Sequence, residues 1–133
     1  MLEYPPKILM AFGETFGNDG ESFYKWLLEN GYPELAALSS GIRGSKEAIE
    51  WLMKNKYQHF AVLDGAIDKQ AGAYAWLRKH KFDFLAVFAD AINEKQEAAV
   101  WLKEHNLDIF VYLAMKISSY RNNQSFDYHK LHF

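Results

Sequence analysis

The sequence predicts an all-α fold, a short right-handed stack of helical hairpins (an α-solenoid) that starts with an N-terminal capping helix. The first observation is that the pair Trp-Leu recurs every 25 residues, at Trp26, Trp51, Trp76 and Trp101, and that the chain has no other tryptophan. The second is that residues at fixed distances after each tryptophan are apolar in every copy. A fixed period of this size is typical of stacked supersecondary units, because one unit cannot bury its apolar face alone.

The repeat extends over roughly residues 23–117. Segments 51–75 and 76–100 align without a gap and have nine residues in common. Three further columns are apolar in all four copies: Tyr32, Tyr57, Phe82 and Leu107; Leu35, Phe60, Leu85 and Phe110; and Ile42, Ile67, Ile92 and Ile117. The structural core predicted from the columns comprises Trp26, Trp51, Trp76, Trp101, Leu52, Leu77, Leu102, Ile42, Ile67 and Ile92.

The first half of each unit has the pattern of an amphipathic helix. Ala73, Trp76, Leu77 and His80 are spaced i, i+3, i+4 and i+7, so they share one helix face. The chain segment 30–31, Asn-Gly, predicts the end of the first such helix, because these residues favour the left-handed conformation that terminates helices. Capping residues predict where the helices start: Asn18, Ser45, Asp68 and Asn93.

The second half of each unit is apolar on nearly all sides. In segment 83–92, "DFLAVFADAI", phenylalanine, valine and isoleucine would also suit a strand. Ala86, Ala89 and Ala91, without any polar alternation, favour a helix. A helix that is apolar all round is buried between neighbours. Two short helices with tight turns fill each unit, which is therefore predicted to be a helical hairpin.

The two ends of the chain depart from the repeat, as the ends of a stack must. Residues 1–20 are predicted to cap the N-terminal side, residues 21–117 to form the repeats, and residues 118–133 to form a tail. No unit follows the fourth copy, so its outer face would be bare unless the tail folds back over it. The tail residues suited to that role are Tyr120, Phe126, Tyr128, Leu131 and Phe133. The alternative is that this C-terminal repeat pairs with a second copy as a homodimer.

A known family resembles this pattern. The segment "AALSSGIRGSKEAIEWLMKNKY" resembles an ankyrin repeat, with a small-residue helix, a glycine-containing turn and an amphipathic helix. Segment 26–32, "WLLENGY", is similar to the close of such a repeat. The Thr-Pro-Leu-His opening is absent, and a unit of 25 residues leaves no room for the β-hairpin finger of ankyrin repeats. Because ankyrin repeats bind other proteins, the resemblance implies a protein-binding module.

Composition limits the possible classes of function. The net charge is −2 and the isoelectric point is near 6.2, whereas proteins that bind nucleic acid through its phosphates are usually basic. The absence of cysteine excludes disulfides, thiolate nucleophiles and cysteine-based zinc sites. The first residues lack the pattern of a signal peptide, and no apolar run reaches the ~18 residues of a membrane span. We therefore expect a cytoplasmic protein with no membrane association.

Residues for catalysis or metal binding do not stand out in the sequence. Segment 13–20 contains glycines but lacks the preceding strand and the following Lys-Ser/Thr of a phosphate-binding loop. His80 and His105 occupy the same column as Asn30 and Asn55, which indicates polar residues at helix ends rather than metal ligands. We expect no catalytic residue, no cofactor and no bound metal.

The favoured function is the binding of another protein or peptide through one face of the stack. On the second helices, positions seven and fourteen after each tryptophan lie close together at 100° per residue and form the main polar row. The predicted binding residues are Gln58, Asp83, Asp108, Ser40, Gly65 and Asp90. Small residues in this row would admit the backbone of a partner, and the aspartates would attract its basic groups.

Two alternatives come from other classes. The aspartates of the second helices, with Asp64 among them, would serve a small-molecule binder or a hydrolytic enzyme if a pocket brought two together and raised a pKa. The ends of the first helices carry a basic ladder that would suit nucleic acid, formed by Lys54, Lys56, Arg78, Lys79 and Lys81. Complementation of the helix dipole explains the same residues, and no interleaved aromatic residues are present to stack on bases.

Overall fold

The structure, a computed structural model, describes the backbone of residues 1–131 and the side chains of residues 1–123. In this part of the chain the regular structure consists of nine α-helices, without a strand. The helices are α1 (Pro6–Glu14), α2 (Gly20–Glu29), α3 (Pro33–Ile42), α4 (Lys46–Lys54), α5 (Gln58–Ile67), α6 (Ala71–Lys79), α7 (Asp83–Ile92), α8 (Gln96–Glu104) and α9 (Asp108–Leu131). The predicted all-α class is confirmed.

The helices are arranged as hairpins in two layers. Helices α2, α4, α6 and α8 are the first halves of the first to fourth units and form an outer layer, and each packs on the inner helices before and after it. Helices α1, α3, α5, α7 and α9 form the inner layer, in which each helix packs on the next. These consecutive contacts confirm a helical stack.

The stack closes on itself. Helix α1 contacts α3 on one side and α9 on the other, so the five inner helices form a complete ring. The hydroxyl of Tyr112 donates a hydrogen bond to the carboxylate of Glu14, and the rings of Phe16 and Tyr120 lie 5.8 Å apart. Glu14 contacts Tyr112, and the later residue Phe16 contacts the later residue Tyr120. The chain therefore runs in the same direction along α1 and α9, and the two helices are parallel. Residues 1–20, predicted as a cap, thus contain the inner helix that completes the ring.

The hydrophobic core fills the centre of this ring. Two columns of the inner helices are buried throughout: Leu9, Leu35, Phe60, Leu85 and Phe110, and Phe12, Leu38, Leu63, Phe88 and Leu113. The outer helices contribute one leucine each, Leu27, Leu52, Leu77 and Leu102, and all four are fully buried. The predicted core residues Ile42, Ile67 and Ile92 are buried at the far end of the inner helices.

The tryptophans lie at the edge of the core, which corrects the expectation that they are buried within it. Trp26, Trp51 and Trp76 are partly buried, and Trp101 is 37% exposed. Each outer helix is packed on one side only, and the leucine after each tryptophan occupies its buried stripe. The tryptophan beside it is turned toward the edge, as Trp51 shows by bordering the groove between α2 and α4.

A residue in the left-handed conformation occurs both in the turns that follow the outer helices and in the turns that follow the inner helices α3, α5 and α7. The residues that follow the outer helices are Gly31, Lys56, Lys81 and Asn106, and those that follow α3, α5 and α7 are Gly44, Lys69 and Glu94. The next N–H then donates to the carbonyl five residues earlier, as from Phe82 to Leu77 at 2.7 Å. This is the Schellman arrangement, which satisfies the last carbonyl groups of a helix. The predicted stop at segment 30–31 is confirmed.

The predicted helix starts are confirmed at Ser45 and displaced elsewhere. The hydroxyl of Ser45 accepts a hydrogen bond from the N–H of Ala48, 3.1 Å away, at the start of α4. Asp68 and Asn93, by contrast, end α5 and α7. The Schellman turn takes up the residues that follow them, so α6 and α8 begin only at 71 and 96. Asn18 lies one residue before the N-cap of α2.

Helix α9 continues beyond the point where the other inner helices end and reaches Leu131. The side of α9 that was predicted to be bare is covered in part by α1. Tyr120, one of the five predicted capping residues, packs against Phe16. The side chains of the other four, Phe126, Tyr128, Leu131 and Phe133, lie outside the described residues. None of the helices described is long and apolar enough to cross a membrane.

Candidate functional site

The six residues predicted to bind a partner occupy two levels of the inner layer. Gln58, Asp83 and Asp108 are the first residues of α5, α7 and α9, and they are exposed. Ser40, Gly65 and Asp90 lie about 10 Å further along α3, α5 and α7, at 1.5 Å per residue, and they are partly buried. The structure aligns the residues within each level and leaves the second level beneath the outer helices.

All three partly buried residues already have neighbours within the chain. Asp90 Oδ1 lies 3.4 Å from Lys95 Nζ, an ionic contact without hydrogen-bond geometry, and the side chain is 20% exposed. A Cβ atom added to Gly65 would lie 2.9 Å from Gln70 Oε1, so α6 approaches this backbone closely. Ser40 Oγ accepts a hydrogen bond of 3.5 Å from Nη2 of Arg43, and Ser40 also borders a groove of about 300 Å³ between α2 and α4. Helical periodicity placed these residues on one face and did not show what packs against it.

The histidines of the repeat cap their own helices. Nδ1 of His80 lies 2.9 Å from the carbonyl oxygen of Trp76, and the same distance in His105 is 2.8 Å. Because a carbonyl only accepts, Nδ1 is the donor in both. Asn30 and Asn55 make the equivalent bond through Nδ2 at 2.8 Å. Among the residues with described side chains, no group of three His, Asp or Glu could hold a metal ion.

A polar cavity of about 650 Å³ lies at the end of the ring where α3, α5 and α7 finish, and we term it the mouth cavity. Its charged lining residues are Arg43, Lys46, Asp64, Asp68, Lys69, Glu94 and Arg121. They come from four separate segments, and Arg121 belongs to the extension of α9. Sequence reasoning missed this cavity, because linear spacing does not show that the extension of α9 reaches the ends of the other inner helices.

The carboxyl group of Asp64, which lines the mouth cavity, has a raised pKa. Burial raises the pKa of Asp64 to about 6, the negative charge of Asp68 adds to the shift, and Arg121 opposes it. Asp68 accepts a hydrogen bond of 3.0 Å from Nη1 of Arg121. Arg121 therefore joins α9 to the end of α5 across the cavity.

The lysines of the basic ladder are confined to the two middle units. Lys54 and Lys79 are the last residues of α4 and α6, and Lys56 and Lys81 are the left-handed residues that follow. All four are exposed. The corresponding residues are Glu29 and Gly31 in the first unit, and Glu104 and Asn106 in the fourth.

Aromatic rings lie beside the ladder, which the sequence spacing did not predict. The ring of Trp76 stacks with that of His80, with centroids 4.0 Å apart, and is nearly parallel to that of Phe82, with centroids 6.0 Å apart. Trp51 stacks against Tyr57 at 6.2 Å. Each of these tryptophans therefore stacks with at least one ring of the same chain.

An apolar groove lies between α8 and α9, on the side where a further outer helix would continue the stack. This terminal groove has a volume of about 480 Å³. Its apolar lining residues are Ala91, Ala99, Val111, Ala114 and Met115. Met115 is 62% exposed, whereas the equivalent positions of the other units, Ser40, Gly65 and Asp90, are partly buried.

Comparison with known proteins leaves the geometry as the basis for assigning a function. No protein-family model, curated protein or solved structure matches the chain. The mouth cavity, the basic ladder and the terminal groove are therefore the surfaces from which a function is argued.

Proposed function

We propose that the chain is a cytoplasmic protein-binding module of the helical-repeat class, without catalytic chemistry of its own. The terminal groove is the observation that carries this proposal. Its base is apolar, its rim holds polar residues such as Glu94 and Gln96, and Met115 projects from it. Exposed apolar surface with a polar rim is typical of protein interfaces. The ankyrin-like character of the units supports the same class.

The occupant that we propose for the terminal groove is a second copy of the chain. In the preceding units the equivalent position lies against the next outer helix, as Gly65 does against Ala73 of α6. Two copies related by a twofold axis would place Met115 of each in the groove of the other. Such a dimer buries an apolar side chain that the single chain leaves in water.

Measurement of molar mass by analytical ultracentrifugation tests this proposal. We expect the parent chain to form a dimer as its concentration rises, and Met115→Glu to remain a monomer because a carboxylate would be buried in the groove. Met53→Glu is the matched control, since Met53 is 48% exposed on α4, away from the groove. A parent chain that stays monomeric at high concentration would exclude the second copy as the occupant.

A second candidate function, the binding or hydrolysis of a small molecule, is favoured by the mouth cavity. The cavity places Asp64 and Asp68 together, and the pKa of Asp64 is raised to about 6, a value that suits a general acid or base near neutral pH. A screen of small polar compounds by thermal shift tests this candidate. A compound that stabilises the parent and fails to stabilise Asp64→Asn would support it, and a screen without such a compound would count against it.

A further inference from the structure

We propose that the basic ladder (Lys54, Lys56, Arg78, Lys79 and Lys81) is a docking surface for a short acidic segment of another protein. This inference rests on the proposed function in taking the partner to be a protein. It concerns a different surface from the terminal groove, at the opposite end of the inner helices from the mouth cavity.

The turns themselves do not require these lysines. All four outer helices end in the same way, with a cap on the tryptophan carbonyl and a left-handed residue after it. The left-handed position holds Gly31 in the first unit and Asn106 in the fourth. The last helical position holds Glu29 and Glu104 in those units, although a carboxylate there opposes the helix dipole. Complementation of the dipole therefore does not explain why the two middle units alone carry lysine at both positions.

The charges of the ladder are available to a partner. All five side chains are exposed, and they lie together at one end of two adjacent units in a chain with net charge −2. Arg78 is the ladder residue for which the described side chains show an ion pair, with Nη1 4.0 Å from Asp83 Oδ1. A concentration of like charge in an otherwise acidic chain attracts ligands of the opposite sign and orients their approach.

The extent of the ladder fits a short acidic segment. Helices α4 and α6 do not contact each other, so they lie further apart than the ~8–10 Å of packed helices. The lysines of the two units therefore span several residues of an extended peptide, at ~3.3 Å per residue. Glu29 on one side and Glu104 on the other would repel a polyanion that continued past the ladder. Trp51 and Trp76 are only partly exposed, and each already stacks with a ring of the same chain, which leaves less ring surface for a base. These features favour an acidic peptide over a nucleic acid strand.

Fluorescence anisotropy with a labelled hexaglutamate peptide at low ionic strength tests the inference. The variant Lys56→Gly with Lys81→Gly removes two charges while keeping turns that glycine adopts easily. We expect it to bind hexaglutamate about tenfold more weakly than the parent, because close charge pairs are lost. Lys69→Gly is the matched control, since Lys69 has the same left-handed conformation, with φ 64°, at the mouth end of the ring. It should bind as the parent does.

Three outcomes would overturn the inference: no binding of hexaglutamate, equal weakening in the Lys69→Gly control, or tighter binding of a dT hexanucleotide through the same two lysines. The last would assign the ladder to nucleic acid. Met115→Glu should bind hexaglutamate normally. A parent chain that binds hexaglutamate but stays monomeric would show that the terminal groove was assigned wrongly, and one that dimerises but does not bind hexaglutamate would show that the basic ladder was.

Discussion

At the scale of single residues, Lys69 adopts a backbone conformation that glycine adopts more easily. Its φ is 64°, and it ends the turn after α5. A side chain in this region costs ~1–2 kcal/mol, while glycine loses ~0.5–1 kcal/mol more entropy on folding. We expect Lys69→Gly to raise the free energy of unfolding by about 0.5–1 kcal/mol. Urea denaturation would measure the change, and Lys69→Ala, which keeps a Cβ atom, should give no gain.

Asp64 should make stability depend on pH in the direction opposite to that of an ion-paired carboxylate. Because its pKa is raised to about 6 from 3.8, the folded state holds the proton more tightly, and stability falls as pH rises between these values. Asp64→Asn should therefore stabilise the chain at pH 7.5 by about 1–2 kcal/mol, after allowance for screening at a partly exposed site.

The gain from Asp64→Asn should shrink steadily as the pH is lowered from 6.5 to 4, where the parent carboxyl is protonated in the folded state. Urea denaturation of both chains at a series of pH values would follow the difference. A difference that did not vary with pH would show that the charge of Asp64 is not what destabilises the fold.

The Trp-Leu pairs show how far a residue pattern determines burial. Spacing identified both residues as apolar members of a helix face, yet Leu77 is fully buried and Trp76 is only partly so. A helix packed on one side buries a narrow stripe, and neighbouring residues differ by 100° around the axis. The position of the centre of that stripe depends on where the inner helices lie, which the sequence of the outer helix does not specify.

At the scale of elements, two glycines near helix starts make opposite predictions. A Cβ atom at Gly72 in α6 would meet nothing within 4 Å, whereas at Gly20 in α2 it would collide with the backbone carbonyl of Thr15. Gly72→Ala should stabilise the chain by about 0.5–1 kcal/mol through helix propensity. Gly20→Ala should destabilise it by about 2 kcal/mol or more, because backbone cannot move aside as a side chain can. Thermal unfolding of both variants would provide the comparison.

The existence of each helix could be predicted from the sequence, and several starting points could not. Ser45 was identified correctly because its side chain accepts the hydrogen bond that the capping pattern implies. Asp68 and Asn93 have the same capping chemistry but end the preceding helices. Whether such a residue starts or ends a helix depends on the Schellman turn, which contains Lys69 after α5 and Glu94 after α7. Neither lysine nor glutamate is a residue type that predicts a left-handed conformation.

Helix α9 carries a signal of ring closure that can be recognised once the contacts are known. The positions of α3 that border α4 hold small residues, Ala37, Ser40 and Gly41. The same positions of α9 hold Tyr112, Met115 and Lys116. Tyr112 and Lys116 both reach Glu14 of α1, the latter with Nζ 3.4 Å from Oε1. The large side chains of Tyr112 and Lys116 thus contact α1, whereas Met115 remains exposed in the terminal groove.

At the scale of the whole molecule, the period predicted the units but not the curvature of their arrangement. The apolar columns of the repeat, from Leu35 in the first unit to Ile117 in the fourth, are all compatible with an open stack, because each unit buries the same face against its neighbour. Closure depends on the small rotation between successive units, which accumulates over five inner helices and is set by packing details at each step. For the same reason, helical periodicity could place the six polar residues in one row without showing that part of this row lies beneath the outer helices.

Spin labels on α1 and α9 would distinguish a closed ring from an open stack. The chain has no cysteine, so Met10→Cys with Met115→Cys introduces two unique labelling positions, both of them exposed. Adjacent helices are ~10 Å apart, whereas four successive steps of an open stack would separate α1 and α9 by ~40 Å. With the labelled chain diluted into unlabelled chain, so that only distances within one chain are measured, we expect pulsed dipolar spectroscopy to give one short distance, allowing for the reach of the labels. A distance near that of four steps would show that the ring is open.

Closure also limits how this chain can change in length. An open array gains or loses a unit at little cost, because each unit touches only its neighbours. Here the five inner helices form a closed ring of fixed size around one shared set of phenylalanine and leucine side chains. Deleting segment 51–75 would leave the other turns intact but remove the inner helix α5. Four inner helices would then have to enclose a core that five enclose now. Relatives of this chain should therefore vary in their turns and in the extension of the last helix, while keeping the same number of inner helices.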